Sequence, residues 1–223
     1  GCEYEGKKLG TFGEMSSFST YFGHHISTIE GGFISTDNLK LYELLLSLRS
    51  HGWDRDLSKY TQKKLREEWK VSEFDSMYTF YHAGYNLRST DLQAYIGLSQ
   101  IDNLNVWGTK RAANFGVYQR NIKNEYWKPK PHKKSFISNF AYPIIHPNRN
   151  KIVKDLQDND IQVRPMICGS MGTQPFYVKK YGRLEFPNVS IIDKYGFYVP
   201  NHPHLTKKEL STIINIVNEG INV

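Results

Sequence analysis

Hydrophobic residues recur at helical spacing in several parts of the chain, and each part follows residues suited to cap a helix. Residues 36–38 (TDN) stand before leucines at positions 41, 44, 45 and 48, which lie on one face of a helix. Residues 89–91 (STD) and Thr206 precede two further apolar patterns of the same kind. The pattern predicts helices from about 39 to His51, from 91 to about 121 in two segments, from 151 to 159 and from 207 to 221.

Short apolar or alternating runs between turns predict strands. Residues 15–22 alternate between polar and apolar types, and residues 32–35 (GFIS) lie between glycine-rich turns. The runs at 79–82, 135–145 and 161–167 are further strand candidates, whereas the polar stretch 53–77 predicts one helix at most. The strand, helix, strand and final helix after the Pro- and Lys-rich residues 128–134 predict a compact α+β tail.

Charge narrows the class of partner. The chain has 223 residues, 39% hydrophobic and 23% charged, as is usual for a globular protein with a core. Its net charge is +7, but apart from small clusters at 63–66 and 128–134 the basic residues are dispersed, and no basic run is interleaved with aromatic residues. This distribution favours an anionic small molecule, such as a phosphate or nucleotide, over a nucleic acid.

The cysteines and the hydropathy indicate a compartment. Cys2 and Cys168 are far apart and have neither metal-ligand nor redox spacing, which favours a reducing environment. No apolar run approaches the roughly 18 residues of a membrane-spanning helix, and no signal-peptide pattern opens the chain. We therefore expect a cytoplasmic protein that does not bind membranes.

Three segments together resemble one protein family. They are GTFGEMSSFSTYFGHHISTIEGGFISTD at 10–37, LRSHGWDRDL at 48–57 and GYNLRSTDLQAYIGLSQID at 84–102. With them the chain resembles the vitamin B6-dependent sugar aminotransferases and dehydratases of the DegT/DnrJ/StrS type, which have the aspartate-aminotransferase fold. The resemblance implies an α/β fold class, namely the C-terminal portion of a fold-type-I PLP-dependent transferase.

The resemblance also implies a division into domains. Residues 1–108 would be the remainder of the large cofactor-binding domain, and residues 109–223 the small C-terminal α+β domain. The family places its phosphate loop, an aromatic residue on the pyridine ring and an aspartate at the pyridine nitrogen upstream of the position of Gly1. We therefore expect this chain to lack half of the active site, to bind cofactor weakly and to show little or no turnover alone.

One position departs from the family pattern. The family has a lysine ahead of a Glu-Gly-Gly turn, and this lysine forms a Schiff base with pyridoxal phosphate. Counting back from Glu30, the lysine position falls on His24, and an imidazole cannot form a stable imine. This change marks a small branch of GDP-sugar 3-dehydratases, which Trp53 and Arg55 of SHGWDR also resemble. A CDP-sugar relative with histidine here holds an iron–sulfur cluster, for which this chain has no cysteine set.

The resemblance implies a chemistry for His24. The cofactor would act as pyridoxamine 5′-phosphate, the amine form of pyridoxal 5′-phosphate. An imidazole with an unperturbed pKa of about 6.5 can accept a proton and then assist the departure of the sugar's 3-hydroxyl. The substrate would be a nucleotide sugar, for which a GDP-sugar is expected, with glutamate as the amino donor. His25 would face away, since neighbours in extended chain point to opposite sides, and no metal site is expected.

Five further residues receive roles from the resemblance. Ser19 matches a hydroxyl that binds the cofactor phosphate, and Asn86 matches an asparagine that reaches this phosphate from the neighbouring subunit, which implies a homodimer. His51 and Arg55 are candidates for the sugar or its nucleotide phosphate, and Arg164 for the sugar or the amino-donor carboxylate. Without the resemblance, Asn86 would simply be a turn residue. The alternative for Ser19 is a polar residue on a solvated strand edge, and Arg55 is equally well explained as an exposed structural arginine.

Two alternatives stay open. A conventional sugar aminotransferase would need a lysine at position 24. A non-catalytic fragment that shares only the fold would have no pyridoxamine phosphate site, and replacing His24 would have no effect on it.

Overall fold

The computed structural model describes residues 1–222, which form short strands and helices. The strands are β1 (Glu3–Tyr4), β2 (Lys7–Lys8), β3 (Ser16–Ser19), β4 (Gly32–Ser35), β5 (Ser135–Phe136), β6 (Ala141–Ile145), β7 (Arg164–Pro165) and β8 (Gly196–Pro200). The helices are α1 (Leu39–Arg49), α2 (Lys59–Trp69), α3 (Asp91–Ile101), α4 (Leu104–Asn121), α5 (Arg149–Asp158), α6 (Pro175–Tyr181), α7 (Pro187–Tyr195) and α8 (Lys207–Ile221). No helix in this described part is both long and apolar enough to cross a membrane.

The chain divides into two compact units. We call Leu9–Asp102 the hairpin unit, and Gly1–Lys8 together with the residues from Asn103 onward the C-terminal unit. The domain boundary expected at residue 108 lies inside α4, a continuous helix. The assignment of a large and a small domain stays a prediction.

The hairpin unit contains β3, β4 and the first three helices. β3 and β4 pair antiparallel, and each helix begins where a polar side chain accepts hydrogen bonds from backbone N–H groups of the first turn. The capping residues are Asn38 for α1, Ser58 for α2 and Thr90 for α3. Capping satisfies N–H groups that have no partner inside a helix, which is why the helices begin at these residues.

The C-terminal unit is built on an antiparallel sheet in which β8 lies between β6 and β7. A continuous hydrophobic core includes residues of this sheet and of α4, α5 and α8. Phe197 and Val199 of β8, Ile152 of α5 and Val217 of α8 are fully buried in it. A smaller sheet has the order β2-β1-β5.

The predicted helices are confirmed. Asn38 and Thr90 cap α1 and α3 as expected, and α8 begins directly after Thr206. The polar stretch 53–77 holds one α-helix, α2, and a short 3-10 turn at Asp75–Tyr78. These helices were predictable because their caps and apolar faces are local sequence features.

Several strand predictions were wrong or too long. Residues 79–82 form no strand, because the N–H groups of Tyr81 and His82 bind the carbonyl of Gly52 instead of a strand partner. Residues 135–145 split into β5 and β6, and 161–167 contain only the two-residue β7. We did not predict α6, α7 or β8, the central strand of the C-terminal sheet.

Candidate active site

The connection between β3 and β4 is a closed loop that carries His24. The N–H of Thr20 donates to the carbonyl of Gly31 at 2.9 Å, and the N–H of Thr28 donates to the carbonyl of Thr20 at 2.8 Å. The hydroxyls of Thr20 and Thr28 lie 2.6 Å apart, and both residues are buried. These bonds therefore close residues 20–31 into a loop with fixed ends, which we call the histidine loop.

The two glycines of the Glu-Gly-Gly motif lie where a larger residue would clash with its neighbours. Gly31 has φ of +151°, and a Cβ added there would lie 2.6 Å from Oγ1 of Thr28 and 2.8 Å from Oγ1 of Thr20. A Cβ on Gly32 would lie 2.7 Å from the carbonyl oxygen of Phe18 on the paired strand. Any larger residue would push the threonine pair or the hairpin apart.

His24 lies beside Ser19, the last residue of β3. The N–H of His24 donates to the carbonyl of Tyr21 at 2.9 Å, which forms a turn and brings Nδ1 of the imidazole to 3.5 Å from Oγ of Ser19. Ser19 Oγ also accepts a hydrogen bond from the N–H of Tyr21 at 3.3 Å. Both side chains are exposed, and the ring of Tyr21 lies edge-on to the imidazole at 6.2 Å.

The reason given for separating His24 from His25 was wrong. Both residues lie in a bend of the histidine loop and not in extended chain. The turn itself distinguishes them, because it directs His24 to Ser19, while His25 is half-buried. Residues 1–222 contain no group of three or more His, Cys, Asp or Glu side chains that could hold a metal ion.

A second group of predicted site residues lies at the end of α1, where residues 50–52 are hydrogen-bonded to the segment 81–87. Ser50 and Asn86 face each other in an antiparallel bridge, and the N–H of His51 donates to the carbonyl of Tyr85 at 2.7 Å. His51 has φ of +60°, a left-handed conformation that costs energy for a residue other than glycine. The backbone bonds thus hold two predicted site residues, His51 and Asn86, in one local structure.

Arg55 belongs to the same region. Its guanidinium lies 3.6 Å from the centre of the Trp53 ring, 5.2 Å from that of Tyr78, and donates to the carbonyl of Met77. The ring of His51 packs edge-on against the same Trp53 ring, with 4.8 Å between the ring centres. Arg55 stays exposed, so its charge remains available to an anion while the aromatic faces orient it.

Buried polar groups hold the segment that carries Arg55 in place. Asp54 is fully buried, and one of its oxygens accepts a hydrogen bond from Nε of Arg66 at 2.8 Å. This bond raises the pKa of Arg66, and burial together with the Asp54 carboxylate raises the pKa of Tyr81. The Gln62 amide donates to the carbonyls of residues 54, 55 and 57 at 3.0–3.3 Å. We missed these supports in the sequence because each joins residues whose pairing no local pattern shows.

Arg164, the remaining predicted site residue, belongs to the C-terminal unit. It is exposed in β7, where it pairs with Tyr198 of β8. The structure thus brings Ser19 together with His24, and places His51, Arg55 and Asn86 in a second local cluster. The roles of all six residues stay predictions.

Comparison with known proteins identifies the family. The sequence profile described as the DegT/DnrJ/EryC1/StrS aminotransferase family matches residues 1–218, and the chain belongs to this family. The chain is 28% identical to a protein of Yersinia pseudotuberculosis named GDP-4-keto-6-deoxy-D-mannose 3-dehydratase, over 98% of this chain and 57% of the relative. It is also 27% identical to a GDP-perosamine synthase of Escherichia coli O157:H7, over 98% of this chain and 55% of that protein.

Solved structures agree with the sequence comparison. A GDP-4-keto-6-deoxymannose-3-dehydratase, solved with a trapped PLP-glutamate geminal diamine, has a TM-score of 0.84 and 27% identity, over 97% of this chain and 58% of that chain. The predicted α/β fold class of the PLP-dependent aminotransferases is confirmed. The chain spans little more than half the length of the relatives that it matches.

Proposed function

We propose that this chain carries the acid/base histidine and part of the cofactor site of a nucleotide-sugar 3-dehydratase of the GDP-4-keto-6-deoxymannose type. The observation that carries the proposal is His24, which precedes the Glu-Gly-Gly turn and lies 3.5 Å from the Ser19 hydroxyl. The sequence has no lysine between Lys8 and Lys40 that could form a covalent bond with the cofactor in this loop. Such an enzyme would act in deoxysugar biosynthesis, of the kind that supplies lipopolysaccharide O-antigens.

The residues of the histidine loop fit pyridoxamine 5′-phosphate or pyridoxal 5′-phosphate. In the tautomer with its proton on Nδ1, His24 donates to Ser19 Oγ, which already accepts from the N–H of Tyr21. The Ser19 hydroxyl hydrogen is then free to donate to a phosphate oxygen, and Nε2 of His24 keeps a lone pair. The cofactor, when bound, supplies an amine for the 4-keto group of the sugar and a ring that withdraws electrons.

His24 then performs the proton transfers. Nε2 accepts a proton as a general base and, once protonated, donates one to the leaving 3-hydroxyl of the sugar. Because both the loop ends and the Tyr21 turn are hydrogen-bonded, the imidazole is held near the Ser19 hydroxyl before any ligand binds. Pre-positioning of this kind lowers the entropy cost of reaching the reactive geometry.

The second cluster is proposed to bind substrate and a second subunit. Arg55, oriented by Trp53, would bind an anionic group such as the nucleotide diphosphate, with His51 beside it. Asn86 is exposed opposite Ser50, as a residue that reaches the cofactor phosphate of a partner subunit must be. These roles imply a homodimer, a GDP-sugar as substrate and glutamate as the amino donor.

A sugar aminotransferase is the rival enzyme class, and the GDP-perosamine synthase among the relatives favours it. Transamination of that kind uses the Schiff-base lysine, and the position holds His24 in this chain. The two reactions differ in product. A dehydratase removes the 3-hydroxyl and, after hydrolysis by water, releases a 4-keto sugar, whereas an aminotransferase leaves an amine at position 4.

The variant His24→Lys tests the site assignment without requiring turnover. A lysine at this position should form a covalent bond with added pyridoxal phosphate, which borohydride fixes and peptide mass mapping locates. We expect modification at position 24 of the variant to be well above that of the exposed Lys63. Lys63 is present in the variant and in the original chain, so it serves as the internal control in both. Modification of position 24 no greater than that of Lys63 would show that His24 does not lie at a cofactor site and would contradict the proposal.

A further inference from the structure

One face of α3 contacts the histidine loop. Gln93, Gly97 and Gln100 are spaced four and three residues apart, so they lie along a single side of the helix. Each of them meets a different part of the chain between His24 and Gly31.

Gln100 holds the middle of the loop at Ser27. Its Oε1 accepts a hydrogen bond from the N–H of Ser27 at 3.0 Å, and its Nε2 donates to the carbonyl of Ser27 at 2.7 Å. The same Nε2 donates to the carbonyl of Ile96 within α3 at 2.8 Å, which fixes the side-chain amide on the helix. The Gln100 amide therefore satisfies both backbone groups of one loop residue, much as a strand partner would.

Gln93 holds the end of the loop at Glu30. Its Oε1 accepts the N–H of Thr90 at 2.9 Å as part of the capping box that begins α3. Its Nε2 donates to the carbonyl of Glu30 at 2.6 Å. The Gln93 side chain thus joins the first turn of α3 to Glu30, the first residue of the Glu-Gly-Gly motif.

Gly97 lets the helix approach the loop between these two contacts. A Cβ on Gly97 would lie 3.2 Å from Cγ2 of Thr28, closer than ordinary van der Waals contact. Thr28 is one of the two buried threonines that close the loop.

The backbone of the loop is strained at Ile29, the next residue. Ile29 has φ of +71°, and its N–H donates to the Ser27 hydroxyl at 3.2 Å. The loop therefore contains an unfavourable backbone conformation beside the residue that Gln100 holds.

We propose that Gln93, Gly97 and Gln100 are positioning residues that set the orientation of His24 relative to Ser19. The histidine loop has little apolar packing of its own, since its two buried residues are Thr20 and Thr28. Polar contacts therefore hold its strained backbone. The side-chain amides of Gln93 and Gln100 supply such contacts in the part of the loop between His24 and Glu30. The value of this positioning for catalysis rests on the function proposed above, whereas the positioning itself is a property of the chain alone.

The test compares Gln100→Ala with Gln157→Ala in the chain without cofactor. Gln157 is an exposed helical glutamine of α5 in the C-terminal unit, so its replacement is a matched control for the loss of an amide. Nuclear magnetic resonance would follow the imidazole nitrogens of His24, assigned by their loss in His24→Asn, and hydrogen exchange at the N–H of Thr28. The Thr28 N–H bonds to Thr20 and does not touch Gln100, so it reports the loop and not the deleted contact.

We expect Gln100→Ala to shift or broaden the His24 imidazole signals. It should also accelerate exchange at Thr28 by about 5-fold to 25-fold, because two hydrogen bonds to Ser27 are lost and each contributes up to about a factor of five. Gln100→Glu keeps an acceptor for the Ser27 N–H and should give an intermediate effect, while Gln157→Ala should change neither signal. Exchange that accelerates with unchanged His24 signals would show a purely structural role and overturn the proposal, as would no change in either.

The outcome is separable from that of the proposed function. If His24→Lys forms no adduct above background but Gln100→Ala still displaces the imidazole, the positioning stands and the enzymatic function falls. If the adduct forms and the imidazole does not respond to Gln100→Ala, the function stands and the positioning falls.

Discussion

The two units of this chain differ in what is buried inside them. In the described residues, the C-terminal unit contains all of the buried hydrophobic side chains except Leu57. The buried side chains of the hairpin unit are otherwise polar. These are Thr20, Thr28, Ser47, Ser50, Asp54, Gln62 and Ser76.

This difference indicates two ways of fixing a structure. The C-terminal unit is stabilised by apolar packing, which is strong and nondirectional. The hairpin unit is fixed by hydrogen bonds from side chains to backbone groups, which are directional and set loop geometry more than total stability. The predicted cofactor and catalytic residues lie in the unit of the second kind, where loop geometry determines what a side chain such as His24 can reach.

The hairpin unit also exposes its apolar side chains. Leu92, Tyr95 and Leu98 of α3 are 68–72% exposed, on positions other than those that contact the histidine loop. Phe18 and Phe33 stack on each other across β3 and β4 at 5.0 Å and are 40% and 51% exposed. Burial of these residues requires contacts that the hairpin unit does not make by itself.

The largest effect is expected from a pair of phenylalanine truncations. Phe197→Ala should destabilise the C-terminal unit by about 3–5 kcal/mol, because Phe197 is fully buried in the core. Phe74→Ala in the hairpin unit should change stability by less than about 0.5 kcal/mol, since Phe74 is 76% exposed. Chemical denaturation of both variants measures the difference. Equal losses would contradict the contrast between the units.

The next effect comes from the buried ion pair of the hairpin unit. Arg66→Met should cost about 2–4 kcal/mol, because it leaves the Asp54 carboxylate buried without its partner. Adding Asp54→Asn to this variant should recover part of the loss. The control is Lys63→Met on the same helix, where the pair with Glu67 is exposed and its loss should cost less than about 1 kcal/mol. A double variant as unstable as Arg66→Met alone would show that no buried charge was responsible.

The smallest effect concerns pH and the C-terminal unit. Burial lowers the pKa of His146. Its Nδ1 also accepts a hydrogen bond from the N–H of Asn148 at 3.1 Å, which is lost when Nδ1 is protonated because the nitrogen then has no lone pair. The folded state therefore binds fewer protons than the unfolded state once the pH falls below about 6.5, the unfolded value. Stability should be complete above that pH and decrease as the pH falls towards the lower folded pKa.

His146→Gln removes the titration and keeps an acceptor. Thermal unfolding between pH 7.5 and 5 should show a smaller slope for this variant than for the original chain. An unchanged slope would assign the pH dependence to other groups.

The sequence predicted α1, α3, α4, α5 and α8 from local signals, such as the caps Asn38, Thr90 and Thr206, but it did not predict α6 and α7. It did not predict β8, whose strand character depends on lying between β6 and β7. Residues 79–82 have the composition of a strand, but their N–H groups found the carbonyl of Gly52, a partner that no local pattern indicates.

The candidate site was predictable to a similar extent. The position of His24 came from the Glu-Gly-Gly motif and the family resemblance, and the close approaches at Gly31 and Gly32 give that motif a steric reason. The amide contacts of Gln93 and Gln100 could be inferred only once α3 and the histidine loop were seen together. Two glutamines seven residues apart with a glycine between them on one helical face are the sequence signal of such a contact.

The most direct test of the central claim is a calorimetric titration of this chain with pyridoxamine 5′-phosphate, beside Ser19→Ala. The account predicts saturable binding that weakens about tenfold in Ser19→Ala, the loss of one hydrogen bond to a charged phosphate. Absence of binding, or equal binding by both proteins, would contradict the claim that the Ser19 and His24 pair of the histidine loop forms part of a cofactor site.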